Sequence, residues 1–360
     1  MSNYIEHNDR IAFHPGYYIK EIVEESGLTQ EDFAKRLNTT PKNLSILIKG
    51  EQNLSIDIAT KLSRMLGTSV AYWLNLQQAY DTMVSEFISE EELEKEREVF
   101  KFIDYKYFRE NFGLPELSRN IDAQIKKVRE FLGVASLNVL REDDLAVSFR
   151  SYSDNLSEAN IVKANTMVQI AINKALKTET PKFNKKKFEQ AVEYCLTQTM
   201  NHSGFLPLIK KEFLNAGVVL VVLPNLSGSG INGATKRVDG KILLMVNDRR
   251  QYADTFWFTL FHEIGHVING DFGITFKNNK SQTESCADLY AQNKLIPQEE
   301  YNEFIKRQPY FDENSIRRFA NEINRDPGIV LGRLQNDGLV SFKDNVLSAR
   351  LRCKYKIFIV

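Results

Sequence analysis

Two histidines four residues apart, with a glutamate directly after the first, stand in the segment FWFTLFHEIGHVING (residues 256–270) of this 360-residue chain. On a helix that spacing puts His262 and His266 one turn apart on the same face, so both imidazoles reach one cation while Glu263 projects beside them. A cation that activates water keeps one coordination position open and therefore takes three protein ligands, so a third has to come from elsewhere in the chain. The segment TESCADLYAQNKLIP (residues 283–297) supplies it, with Glu284 and Asp288 one turn apart on a second helix. Glu284 is the expected third ligand. Asp288 then faces the first helix and accepts the free ring N–H of a liganding histidine, which fixes its tautomer. The chemistry of such a set is metal-assisted hydrolysis, with Zn2+ as the expected cofactor and Glu263 as the base. Cys286 lies on another face of the same helix and reads as a small packing residue.

The elements that must hold these groups are legible in part. Residues 256–270 are apolar on most sides, which predicts a buried helix ending at Gly270. Before it, GVVLVVLP and KILLMVN are short and rich in β-branched residues, which predicts a pair of strands with the turn residues SGSGINGATKRVDG between them. Residues 100–215 alternate apolar and charged positions with helical spacing, interrupted by KFNKKK (residues 182–187), which reads as a solvated loop. After these, IRRFANEINRDPGIVLGRLQNDGLVSF (residues 316–342) predicts helix, turn, helix and strand, the outline of a small winged helix. Asp326, Asp337 and Asp344 oppose phosphate approach there, so this part reads as a packing module.

Near the other end, residues 28–67 have the form helix, short turn, helix. Thr29 is placed to cap the first helix and Pro41 to open the second, which runs to about Lys49, with Ala34 and Leu44 at packing positions. The second helix is the expected reader of double-stranded DNA. Its outer face offers Lys42, Asn43, Ser45 and Lys49 to bases or phosphates, and Gln30 at the start of the first helix is placed to hold a phosphate. Residues 33–50 hold Lys35, Arg36, Lys42 and Lys49 and no acid, although residues 1–80 balance 8 bases against 9 acids. Helix pattern and charge alone fit a protein-interaction domain equally well.

Composition bounds the rest. With 42% hydrophobic and 26% charged residues and zero formal net charge, the chain reads as an ordinary globular protein, and any nucleic-acid surface has to be local. No long apolar run predicts a membrane span, and three unpaired-looking cysteines fit a reducing, cytoplasmic setting. Residues 86–98 hold seven acids and two bases and read as a solvated helix or linker. The expected organisation is a helix-turn-helix domain (1–81), a helical linker region (82–199), a metal-site domain (200–300) and a carboxy-terminal module (301–360).

Two resemblances follow from these motifs. The strand pair, FTLFHEIGHVING, and the E-x-x-A-D pattern from Glu284 to Asp288 followed by LIP resemble the ImmA/IrrE metallopeptidases over roughly residues 200–300. That resemblance implies an α+β zincin-like fold, zinc on His262, His266 and Glu284, Glu263 as base, and site-specific cleavage of a transcriptional repressor. A second oxyanion donor stays open between Tyr252, Arg249, Arg250 and His202. HPGYYIKEIVEESGLTQEDFAKRLNTT, followed by KLSRMLGTSVAYWLNLQQAYD, resembles the HigA-type antitoxin branch of the phage-repressor-like helix-turn-helix family over about residues 14–81. It implies an all-α domain that binds palindromic operators as a homodimer, represses its own promoter and neutralises a neighbouring toxin. The fold expectation is therefore multidomain: an all-α helix-turn-helix domain, an α+β metallopeptidase domain and a small winged-helix-like module. One alternative keeps the zinc domain as a non-catalytic binding or sensing fold on an antitoxin and autorepressor. The segment PGIVLGRLQ resembles the ends of such fused proteins, where His often stands in place of Asp326.

Overall fold

The computed structural model describes residues 3–142, 157–248, 252–276, 282–308 and 310–354. It divides into two compact units, Met1–Lys95 and Glu96–Val360. The first holds a hairpin, β1 (Tyr4–His7) and β2 (Arg10–Phe13), then α1 (Pro15–Glu25), α2 (Gln30–Arg36), α3 (Pro41–Ile48), α4 (Ile56–Leu66) and most of α5 (Val70–Phe100). The second continues with α6 (Tyr105–Phe112), α7 (Ile121–Leu132), α8 (Glu158–Lys177), α9 (Lys185–Thr197) and α10 (Phe205–Asn215). A sheet region follows: β3 (Val218–Pro224), β4 (Ile231–Val238), β5 (Lys241–Asp248), α11 (Ala253–Asn269), β6 (Gly273–Phe276) and α12 (Gln282–Leu295). The chain then ends in α13 (Gln298–Arg307), α14 (Glu313–Glu322), α15 (Pro327–Asn336) and α16 (Asn345–Leu351).

In the first unit each short helix begins where a side chain satisfies the free backbone N–H groups. Thr29, Thr40 and Ser55 accept from Asp32, Asn43 and Ile58 at the starts of α2, α3 and α4. Ile19, Phe33, Ala34, Leu37, Leu44 and Leu62 fill the centre, each at most 1% exposed. The hairpin is an addition to the all-helical expectation. Its two-residue loop, Asn8 and Asp9, has positive φ at both positions, as a tight antiparallel turn requires.

The sheet order is β3-β5-β4-β6, with β3 parallel to β5 and the other pairings antiparallel. The strand pair expected from GVVLVVLP and KILLMVN forms, but the supposed turn residues between them contain β4, which pairs with β5 on its far side. Gly, Thr, Lys and Arg in INGATKRV masked that strand. Along β3 and β5, Val218, Leu220, Val222, Ile242, Leu244 and Val246 join the core shared with α9, α10 and α11. The alternate residues Val219, Val221, Leu243 and Met245 point to the other face, where α8 packs, so both faces are covered and the strands read as unbroken apolar runs.

Three boundaries differ from the sequence expectation. The break near residues 81–82 falls instead between Lys95 and Glu96, because α5 continues through the acid-rich stretch. Glu96 is fully buried there, paired with Arg129 at 3.1 Å and accepting from the Leu137 backbone N–H, so residues 96–199 belong to the second unit rather than to a linker. The described part of the expected module at 301–360 does not stand apart: Tyr301, Phe304, Ile316, Phe319, Leu331, Leu334 and Leu351 share one hydrophobic cluster with Trp257 and Phe261 of α11. The strand of the expected wing is absent among the described residues, since Ser341 begins a turn that leads into α16, capped by Asp344. Likewise Lys185–Lys187 are the first turn of α9, capped by Asn184, rather than loop.

Candidate metal centre and nucleic-acid interface

Helix α11 carries His262, Glu263 and His266 on a segment whose other residues, Phe256, Trp257, Leu260, Phe261 and Ile264, are buried in the core. Gly270 ends it in the left-handed conformation at φ 80°, and the Gly270 and Asp271 N–H groups both donate to the His266 carbonyl. That cap turns the chain back so that the Asp271 carboxylate lies 2.9 Å from His266 Nδ1. Helix α12 packs against α11 closely enough that a Cβ on Gly265 would stand 3.2–3.3 Å from Ala287 and Tyr290, tighter than ordinary packing. The close crossing brings Glu284 and Asp288 onto the imidazoles.

The donors converge. His262 Nε2 lies 3.0 Å from His266 Nε2 and 3.0 Å from Glu284 Oε2, and His266 Nε2 is 3.5 Å from Glu284 Oε1. Atoms bound to a common tetrahedral zinc stand about 3.3 Å apart, so the set has the span of one coordination sphere. His262 Nδ1 meets Asp288 Oδ1 at 2.8 Å, as His266 Nδ1 meets Asp271. Each carboxylate favours the proton on Nδ1, which sets two Nε2 atoms and a carboxylate oxygen facing one another, an arrangement that suits a cation held among them, either a metal ion or a proton on Nε2. Burial opposes charge on both partners. The Asp288 and Glu284 hydrogen bonds nevertheless raise His262 to about 10, and the two histidines bring Glu284 down to about 2. The residues present fit a divalent metal. His262, His266, Glu263 and Glu284 are 6%, 0%, 0% and 3% exposed, so the centre lies inside the unit rather than on its surface.

Glu263 packs toward β4. A Cβ on Gly233 would come within 2.4–2.6 Å of its carboxylate and side-chain carbons, so glycine is required where β4 shifts register between Ile231 and Gly233. Sequence reasoning did not find Gly233, hidden in a presumed turn, or Asp271. The signal for Asp271 was its place directly after the helix-ending glycine. Among the oxyanion candidates, Arg249 and Arg250 lie outside the described residues. Tyr252 precedes α11, roughly 15 Å of helix rise from His262, and its ring sits under the Arg352 and Lys354 cations. His202 faces the Asp326 carboxylate at 3.1 Å instead of the metal set, and Asp326 caps α15 by accepting from Gly328. Cys286 is exposed.

In the first unit α2 and α3 take the expected limits, with Lys42 on α3 and Lys49 at its C-cap exposed, Ser45 half-buried and Gln30 exposed at the start of α2. Asn43 is placed differently from the others. Its amide donates to Thr39 Oγ1 at 2.9 Å and accepts from Gln52 Nε2 at 2.7 Å, so within the domain it braces the start of α3. Lys35 pairs with Glu31 at 2.9 Å on α2.

Comparison with known proteins finds a match within each unit. A family model described as helix-turn-helix matches residues 19–73, and one described as IrrE N-terminal-like domain, of the M78 peptidases, matches residues 220–334. The chain is 31% identical over 80 residues to virulence-associated protein I of Dichelobacter nodosus, covering 22% of this chain and 74% of that protein. It is 35% identical over 72 residues to YddM, an uncharacterized HTH-type transcriptional regulator of Escherichia coli K12, covering 20% of this chain and 77% of that protein. A Pseudomonas aeruginosa protein solved with its operator DNA is 24% identical, over 21% of this chain and 82% of its own, with a TM-score of 0.20. The chain belongs to the helix-turn-helix transcriptional regulators and carries, fused to that domain, a metallopeptidase-like domain of the IrrE N-terminal-like family.

Proposed function

We propose that this protein is a DNA-binding regulator with a zinc-dependent endopeptidase activity that cleaves a repressor or partner protein, in a stress, mobile-element or toxin-antitoxin-like system. The observation that carries the reading is the convergence of His262, His266 and Glu284 on one point, with Glu263 adjacent in sequence and packed against Gly233. Zinc bound there supplies Lewis acidity, which acidifies water and stabilises negative charge on a carbonyl oxygen. Glu263 takes the proton of the attacking water and returns it to the leaving amine, while Asp271 and Asp288 keep each imidazole in the tautomer that presents Nε2. Lys42, Ser45 and Lys49, with Gln30 at the neighbouring helix start, contact the operator, and a palindromic site calls for a homodimer. Asn43 reads a base only by exchanging its bonds to Thr39 and Gln52.

The test is cleavage of proteins encoded beside this one by the wild type and by Glu263→Gln. Cleavage by the first and not by the second supports the reading. The buried centre favours a second reading, in which the domain binds or senses without catalysis and the protein acts as an antitoxin and autorepressor. Full biological function of Glu263→Gln supports that alternative.

A further inference from the structure

The sheet of the second unit has two unlike edges. One is β6, which follows Asp271, while the other is β3, whose only strand partner among the described residues is β5. Alternate residues of an edge strand turn their N–H and C=O groups outward. Among the described residues, Val219–Val222 make no backbone hydrogen bond on that outer side. A groove of about 350 Å3 runs along it, walled by Lys174 and Lys177 of α8, by Thr178 directly after that helix, and by Lys210 and Leu214 of α10. The two walls cover opposite faces of β3, so the groove is a slot at the height of the sheet.

Its charge is one-sided. Three ammonium groups line the slot and no carboxylate does. None of the three lysines is in an ion pair among the described residues, and the Lys174 ammonium lies 5.7 Å from the Phe112 ring centre. Burial holds Lys174 and Lys210 below the usual lysine range, with Lys174 itself adding to the depression of Lys210. Lysines that merely guard a sheet edge stay in water, whereas two of these three are half-buried and face an open hydrogen-bonding edge.

We propose that this slot docks an extended acidic segment of a partner protein, which adds to β3 as a fifth strand and sets its carboxylates against Lys174, Lys177 and Lys210. Main-chain hydrogen bonds to Val219–Val222 supply affinity, and the lysines select acidic side chains. β5 separates β3 from β4, against which Glu263 packs, so docking stands independently of the metal centre and of catalysis.

The experiment is fluorescence anisotropy of the full chain with a labelled peptide of about eight residues in which glutamate alternates with valine. The peptide binds, its lysine-valine counterpart does not, and Lys174→Gln/Lys177→Gln/Lys210→Gln weakens binding at least about tenfold with an unchanged melting temperature. N-methylation of every backbone nitrogen of the peptide produces a similar loss, because it removes the strand-pairing donors along both of its edges. Absence of binding, equal binding by the triple variant, or equal binding by the N-methylated peptide with displacement by inorganic phosphate each overturns the proposal. The last result marks a free-anion site. Should the triple variant misfold, the N-methylated peptide on the wild type decides.

Discussion

The helix-turn-helix unit and the unit with the candidate metal centre place their candidate functional residues in opposite environments. Lys42 and Lys49 stand in solvent at the end of short helices, while His262, Glu263, His266 and Glu284 are at most 6% exposed. A surface contact needs only the right charge on a face, so many residues serve and each contributes little. A buried polar set needs every atom partnered, so each residue constrains its neighbours and losses are large.

If that contrast holds, the largest effect belongs to Glu263→Gln. Peptide cleavage falls by about 10^2- to 10^4-fold, the usual worth of a general base, while metal content and operator affinity stay at wild-type values. Next come Asp271→Asn and Asp288→Asn, each expected to weaken metal binding about 10- to 100-fold in competition with a chelating dye. Unchanged affinity in the Asp271 variant removes the carboxylate from the account of the centre.

The third test, Gly233→Ala, forces a Cβ to within 2.4 Å of the Glu263 carboxylate, and urea unfolding should show a loss of about 1–3 kcal/mol. A stable, fully active variant contradicts the close packing of β4 on that side chain. Smallest are Lys42→Ala and Lys49→Ala. Each lowers operator affinity modestly and reduces the slope of log affinity against log salt by about 1, if each meets one phosphate. A change of a hundredfold in either variant reverses the contrast between the two regions.

The same difference explains what was legible in the sequence. His262, His266, Glu284 and Asp288 announce themselves because helical spacing converts directly into a shared face, and the structure brings them together. Asp271 and Gly233 carry no such spacing: one acts through a helix cap, the other through the absence of a side chain beside Glu263. β4 was missed because its polar and glycine-rich pattern follows burial between β5 and β6 rather than local propensity. The boundary at residue 81 failed for a related reason. Acid-rich composition reads as linker, yet Glu96 is buried against Arg129 and the helix runs on. The amino-terminal helices, by contrast, were placed by Thr29 and Pro41, whose signals are local.

Metal content of the purified full chain tests the centre most directly, measured by mass spectrometry on the wild type, Glu263→Gln and Glu284→Ala. About one zinc per chain in the first two and little in the third is the predicted result, since Glu263 lies beside the coordinating set and Glu284 within it. Full zinc in Glu284→Ala, or none in the wild type, contradicts it.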